Sequence, residues 1–223
     1  MTAVAPTGER IAIIARGDLF TVPAKDGVTR NLTRSSDAHD REVAWSRDGR
    51  QLVFVSDRTG EEELWLATHD DTAAPRQLTR GSKTRYLDPR FAPDGSAIAV
   101  ADKDGRLLVV SSRDGTMTLV ADDVLEYARD HAWSPDGRYL AFSLADPTGF
   151  RGIHVWSKAD GRSRRVTPEF FNSFIPAWDP AGEHLYFLSV REFAPQVSAV
   201  EWNFAANRAT GVFALALTRK AAN

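Results

Sequence analysis

The chain has 223 residues, with 28 basic and 30 acidic side chains, a net charge of −2 and no cysteine. This near balance of charge argues against a dedicated nucleic-acid binder, which concentrates basic residues, and the missing cysteine excludes a disulfide framework and thiolate chemistry. No apolar run approaches the ~20 residues of a membrane span. Residues 1–6 have neither the basic nor the apolar region of a signal peptide. We therefore expect a cytoplasmic protein with no membrane or nucleic-acid partner.

One short pattern occurs five times: an apolar or aromatic residue, a tight turn ending in glycine, and an apolar strand. The clearest copy is the run Trp133-Ser134-Pro135-Asp136-Gly137, which precedes the apolar residues 139–142. The turn glycines are Gly8, Gly49, Gly95, Gly137 and Gly182, at spacings of 41, 46, 42 and 45 residues. A period of about 40–45 residues is typical of the four-stranded blades of a β-propeller.

The first four repeats each predict four short strands, because Asp-Gly and related turns separate alternating apolar runs. In chain order the strands are expected at 3–5, 10–15, 19–22 and 29–33; at 43–45, 51–56, 63–67 and 76–79; at 89–91, 97–101, 106–111 and 116–120; and at 132–133, 139–143, 152–156 and 163–167. Apolar residues on both faces of the second strand favour a sheet packed between two other layers.

The fifth repeat departs from this pattern. A strand at 185–189 is followed by a long stretch at 190–210, then by a strand at 211–217, with no fourth strand. We count about 19 strands and expect almost no helix; if the chain has one, we expect it in the stretch at 190–210. The repeats are assigned to 2–40, 41–86, 87–128, 129–173 and 174–223, as one propeller domain or a fragment of one.

The recurring turn and strand resemble the repeats of TolB, of prolyl-oligopeptidase propellers and of tricorn-like peptidases. The first repeat, through its runs at 5–10, 15–24 and 30–33, is similar to the second propeller of tricorn-like serine peptidases, and the runs at 54–64, 184–189 and 211–213 agree. Residue 3 already lies inside the first repeat, so we expect the chain to be part of something longer.

The resemblance implies a non-catalytic module that guides peptides through a central channel toward a catalytic domain. The partners it implies are peptides or a protein, together with downstream catalytic domains. Two alternatives stay open: a TolB-like protein–protein interaction propeller, and the propeller of a prolyl-oligopeptidase-type peptidase. A sheet that lacks its fourth strand leaves an edge that must pair or be covered, so a homo-oligomer is also an expected state.

Catalytic motifs are missing from the sequence. It contains no Gly-x-Ser-x-Gly elbow, no phosphate-binding loop and no His-Glu-x-x-His motif. We predict no catalytic residue, no cofactor and no metal. Glu126, Asp130 and His131 could be drawn as a metal cluster, but polar residues of an innermost strand explain them better.

The candidate binding residues lie just before the aromatic residue that ends each first strand. Alignment on that residue places Glu42, Asp88, Asp130 and Ile175 in one column, and Arg41, Leu87, Arg129 and Phe174 in the preceding one. The first strand is the innermost of a blade, so both columns should lie near one mouth of the channel.

Two roles are open for these columns. The arginines can bind a peptide carboxylate while the acids meet its amines, or neighbouring blades pair these charges into a belt. We favour the belt, which is compatible with a channel lining. The predicted peptide- or channel-binding residues are Arg41, Glu42, Asp88, Arg129, Asp130 and His131.

Overall fold

A computed structural model of the chain describes residues 1–35, 37–122, 130–191, 195–197, 204–206 and 210–218. These residues form 21 β-strands, and none of them lies in a helix. In this part of the chain there is accordingly no helix long and apolar enough to cross a membrane. The chain divides into two compact units, Met1–Arg129 and Asp130–Asn223.

The first unit contains three antiparallel sheets of four strands, and in each sheet strands that follow one another in the chain are neighbours. The strands are β1 (Thr2–Val4), β2 (Arg10–Ala15), β3 (Asp18–Pro23) and β4 (Arg30–Asn31); β5 (Asp40–Trp45), β6 (Gln51–Ser56), β7 (Glu63–Thr68) and β8 (Arg76–Gln77); and β9 (Tyr86–Phe91), β10 (Ala97–Asp102), β11 (Arg106–Ser111) and β12 (Met117–Asp122).

The second unit contains a four-stranded sheet, a three-stranded sheet and a separate hairpin. The strands are β13 (His131–Trp133), β14 (Tyr139–Ala145), β15 (Arg151–Ser157) and β16 (Ser163–Arg165); β17 (Asn172–Trp178), β18 (His184–Val190) and β21 (Thr210–Ala216); and the hairpin pair β19 (Pro195–Val197) and β20 (Phe204–Ala206). Among the described residues, the sheet of the fifth repeat has the three strands predicted for it, in the order β17-β18-β21.

The stretch at 190–210 contains two strands that were not predicted. We expected a helix there only if the chain had one, and residues 195–197 and 204–206 pair instead as the hairpin β19–β20, which supplies the two strands beyond the predicted 19. The physical reason is local: Pro195 opens β19, and proline is tolerated at the first residue of a strand but disrupts a helix interior.

The turn between the first two strands of a repeat is held by its own side chains. In the fourth repeat Gly137 has a φ of 69°, which glycine adopts without strain. The Ser134 hydroxyl donates to Asp136 over 2.6 Å, and the Arg138 amide donates to the same carboxylate over 3.0 Å. The Ser134 hydrogen bond is the main reason that the pKa of Asp136 falls to about 2. The turn therefore fixes the register of the hairpin.

The sheets pack face to face around their second strands. Leu52 and Phe54 of β6 lie in one apolar cluster, with residues of the first sheet, whereas Val53 and Val55 lie in another, with residues of the third. Because side chains alternate across a strand, β6 is buried on both faces. The sequence predicted this layer arrangement correctly, and it is the packing by which propeller blades bury their faces.

Candidate functional site: the first strands of the repeats

Three of the first strands carry the same backbone irregularity at the same aligned position. In β5, β9 and β17 the pairing register shifts around one residue with a left-handed backbone: Glu42 (φ 53°), Asp88 (φ 48°) and Ile175 (φ 53°). This conformation costs an L-residue about 1–2 kcal/mol, and a β-branched residue such as isoleucine rarely adopts it. A bulge of this kind redirects the side chain and leaves its backbone groups outside the ladder.

The freed amide of the bulge is bound by an acid from the preceding repeat. In the first unit a Glu42 carboxylate oxygen accepts a hydrogen bond from the Asp88 amide over 3.1 Å. In the second unit Asp130 accepts one from the Ile175 amide and another from the Ser143 hydroxyl. The column that the alignment brought together is therefore a recurring tether, in which a carboxylate of one repeat holds the bulge of the next.

A second tether also recurs. The Trp45 indole N–H donates to the Ala3 carbonyl over 2.9 Å, and the Trp178 indole N–H donates to the Ala132 carbonyl over 2.9 Å. Val4 and Trp133 are the residues of the preceding repeats that align with the two tryptophans. Each acceptor carbonyl belongs to the residue just before the aligned one. The aromatic residue that defines the sequence pattern thus links innermost strands as well as filling the core.

The arginines described in these strands pair with acids of their own repeats, and the belt between repeats, which also involves Arg129, stays a prediction. Arg41 forms an ion pair with Glu62 of its own repeat, and Arg90 pairs with Asp88 of its own strand over 2.8 Å. Burial raises the pKa of Glu62, and the Arg41 and Arg85 guanidinium groups oppose that rise. The tethers between first strands are hydrogen bonds from amides and indoles, because a carboxylate can reach a bulged N–H directly.

The remaining predicted residues fall in different environments. His131 is only 1% exposed and lies opposite Phe142 in the sheet, so its imidazole is inside the structure. Asp88 and its partner Arg90 form an exposed ion pair, with side chains 42% and 46% exposed. Two further residues lie outside the described part of the chain: Arg129, and Glu126, which the sequence analysis considered as a metal ligand.

Two arginines stacked on aromatic rings were missed by the sequence reasoning. Arg58 lies over Phe54 and Trp65, 5.4 and 4.7 Å from their ring centroids. Arg191 lies 4.0 Å from the Phe213 centroid and 5.5–5.8 Å from those of two further phenylalanines. A signal was available, because each arginine stands two residues after the serine that ends a predicted second strand, in Ser56-Asp57-Arg58 and Ser189-Val190-Arg191.

Two other groupings lie in the second unit. The donor atoms of Asp179, Glu183 and His184 lie within 4.8 Å of one another, which is a separation compatible with metal coordination. A cavity of about 530 Å³ is lined by Tyr139 and Trp178, whose rings stack at 6.5 Å. Exposed acids often cluster without a metal, so the first grouping does not by itself define a metal site. The cavity likewise does not by itself identify a ligand.

Comparison with known proteins agrees with this geometry, and the chain is a β-propeller protein. The model of the tricorn protease second β-propeller domain matches residues 1–223. The chain therefore belongs to the family of tricorn second propellers, and the resemblance noted from the sequence is confirmed.

Individual relatives are tricorn proteases and TolB proteins. The chain is 32% identical over 194 residues to tricorn protease homolog 1 of Streptomyces coelicolor, a match that covers 85% of this chain and 18% of the relative. It is 30% identical over 152 residues to a TolB homolog of Chlorobium luteolum, covering 67% of this chain and 34% of that protein. A tricorn protease crystal structure superposes with a TM-score of 0.83 at 18% identity, covering 97% of this chain and 22% of that one. The chain thus spans about a fifth of these tricorn proteins.

Proposed function

We propose that this chain is a non-catalytic propeller module of a cytoplasmic tricorn-like protease, which scaffolds peptide substrates and guides them toward a catalytic domain outside this chain. The observation that carries the proposal is the family match over all 223 residues, because in the relatives named as tricorn proteases the matching segment is a small part of a much longer chain. Its partners would be peptides and the catalytic domains of that protease.

The first strands supply the groups that would meet a peptide. Glu42 and Asp130 already accept backbone hydrogen bonds, so their role is to hold neighbouring repeats in register. Arg41 is paired with the half-buried Glu62. Asp88 and Arg90 remain, exposed and adjacent, as a charge pair that can exchange partners with a passing peptide at low cost, because exposed ion pairs contribute only about 0–1 kcal/mol.

The test is peptide binding and peptide hydrolysis by the purified chain. We expect an unstructured fluorescent peptide to bind without turnover, and the double variant Asp88→Ala, Arg90→Ala to bind it more weakly. The matched control is Lys103→Ala, Asp104→Ala, which removes another exposed ion pair, at 3.2 Å, from a hairpin turn. Steady peptide turnover that survives repurification, or equal effects of the two double variants, would contradict the proposal.

A TolB-like interaction module is the second candidate, favoured by the similarity to the Chlorobium luteolum TolB homolog. This role predicts a folded protein partner rather than extended peptides. Light scattering of the chain over a range of concentrations separates a self-associating form from a compact monomer, since an uncovered sheet edge pairs with another copy.

A further inference from the structure

The arginine at the end of β18 occupies the same structural position as the arginine after β6. Phe54 pairs with Trp65 across β6 and β7, and Arg58 lies over both rings. Phe187 pairs with Phe213 across β18 and β21, and Arg191 lies over both of those rings. Each arginine also donates from Nε to the serine two residues before it, over 3.0 Å for Arg58 and 3.3 Å for Arg191.

The two sites differ at the residue that faces that serine across the sheet. Opposite Ser56 stands Asp40, whose fully buried carboxylate binds Arg58 Nη2 over 2.8 Å. Opposite Ser189 stands Ser173, and the two hydroxyls lie 3.0 Å apart. The second repeat therefore supplies its own carboxylate to the arginine, whereas in the fifth repeat that place holds a neutral hydroxyl.

Arg191 is consequently a cation without an internal counter-ion among the described residues, where its one hydrogen bond is that to Ser189. A third ring, Phe171, contributes to the aromatic cage. The rings fix the guanidinium plane and reduce the rotamer entropy lost on binding. Among the described residues, its outer N–H groups have no acceptor. A planar fork of donors is complementary to a carboxylate, which it binds with two parallel hydrogen bonds.

We propose that Arg191 is a carboxylate-binding site, which anchors the terminal or side-chain carboxylate of a peptide at the end of the fifth sheet. This inference deepens the proposed function and rests on it. A module that guides peptides can orient a peptide by binding the carboxylate at one end of it. Phe170 precedes the cage in sequence, is largely exposed and has a left-handed φ of 69°. A strained, exposed aromatic residue next to the cage favours an apolar residue beside the bound carboxylate.

The experiment is a calorimetric titration of the full chain with acetyl-Ala-Ala-Phe, in the free-acid and the amide form, followed also by the arginine Nε–H signals in NMR spectra. We expect the free acid to bind at least about tenfold more tightly than the amide, the size of one charge-assisted hydrogen bond. We expect the Arg191 signal to shift with the acid alone. Arg191→Gln should reduce the affinity for the acid to that for the amide.

Two further variants sharpen the test. Ser173→Asp places in the fifth repeat the carboxylate that the second repeat has, and it should abolish acid binding while the fold is retained. Arg138→Gln is the matched control: Arg138 also stacks on a ring, that of Tyr139, but already binds Asp136, so its loss should leave affinity unchanged.

The outcomes separate this inference from the proposed function. Equal affinity for acid and amide, no effect of Arg191→Gln, or no binding of the acid would each overturn the carboxylate site. If longer peptides still bind in those cases, the guiding role stands without it. Failure of all peptides, long and short, counts against the guiding role itself. Should Ser173→Asp fail to fold by circular dichroism, Arg191→Gln decides the question.

Discussion

The second and fifth repeats are built on one template and show what the template fixes and what it leaves free. Both have the tryptophan tether to the preceding repeat, the left-handed bulge at φ 53° and an arginine on paired aromatic rings. They differ at two aligned positions: Asp40 against Ser173, and Glu42 against Ile175. The tryptophan tether is common to both repeats, whereas these variable positions decide which polar groups are satisfied within the protein.

The two sheets also differ in how they are covered. In β6 five consecutive residues are buried, so both faces of the second sheet are packed. In β18 burial alternates, and on the neighbouring β21 Val212 is 73% exposed. The Arg191 cage therefore lies in a sheet whose described residues are less deeply buried than those of the second sheet.

The largest expected effect concerns the two stacked arginines. Arg58→Met leaves the buried Asp40 carboxylate without its partner and should lower the free energy of unfolding by about 3–5 kcal/mol. Among the described residues, Arg191→Met removes contacts with aromatic rings and one weak hydrogen bond, at about 0.5–1 kcal/mol. Urea unfolding followed by circular dichroism measures both. The double variant Arg58→Met, Asp40→Ser should recover most of the loss, and equal costs for the two single variants would contradict the comparison.

The tryptophan tethers should behave alike in the two repeats. Trp45→Phe and Trp178→Phe each remove an indole N–H and leave a carbonyl without its donor, which we expect to cost about 1–3 kcal/mol. The same unfolding experiment applies. Because the two hydrogen bonds have equal length, the costs should agree within about 1 kcal/mol. A larger difference would show that the tether is not an equivalent element of both repeats.

The left-handed bulges should give changes of opposite sign. Ile175→Gly relieves about 1–2 kcal/mol of backbone strain against about 0.5–1 kcal/mol of added chain entropy, so we expect a small net stabilisation. Glu42→Gly relieves the same strain but removes the acceptor of the Asp88 amide, a charged hydrogen bond of about 1.5–3 kcal/mol, and should destabilise. Destabilisation by both variants would mean that packing of the Ile175 side chain, although it is 54% exposed, contributes more stability than the strained backbone costs.

The smallest effect concerns pH and the turn of the second repeat. The Ser46 hydroxyl is the main group that lowers the pKa of Asp48, and the Arg50 amide adds to it. Since the folded pKa lies below the unfolded one, the contribution is present above the unfolded pKa of about 3.9 and is lost as pH falls through the folded value.

Comparison of unfolding curves for the wild type and Asp48→Ala at neutral and acidic pH measures this contribution. At neutral pH we expect the variant to be within about 0.5 kcal/mol of the wild type, because the site is exposed. Its stability should fall less steeply on acidification. The fifth repeat has Ala181 at this position, so Ala181→Ser is a substitution that should leave the slope unchanged.

Most of the fold was open to prediction because its causes are local. The Ser134-Pro135-Asp136-Gly137 turn closes a hairpin through contacts within five residues. Apolar residues on both faces of the second strands place these strands between two layers. The two short strands within 190–210 were not predicted, because a pattern over three residues is too short to distinguish a strand from a helix. The acid column was found by alignment, but the bulged amides that Glu42 and Asp130 bind were not.

What the sequence by itself determined is the repeat: the period, the turns, the second strands buried on both faces, the three-stranded last sheet and the family. Only the tertiary structure decided which polar groups meet. Asp40 and Arg58 are 18 residues apart in the chain, and Asp130 and the Ile175 amide are 45 apart. The pattern of apolar residues acts over neighbouring residues in the chain. A hydrogen bond requires the donor–acceptor distance to be correct within a few tenths of an ångström, and that precision arises only when whole sheets have packed.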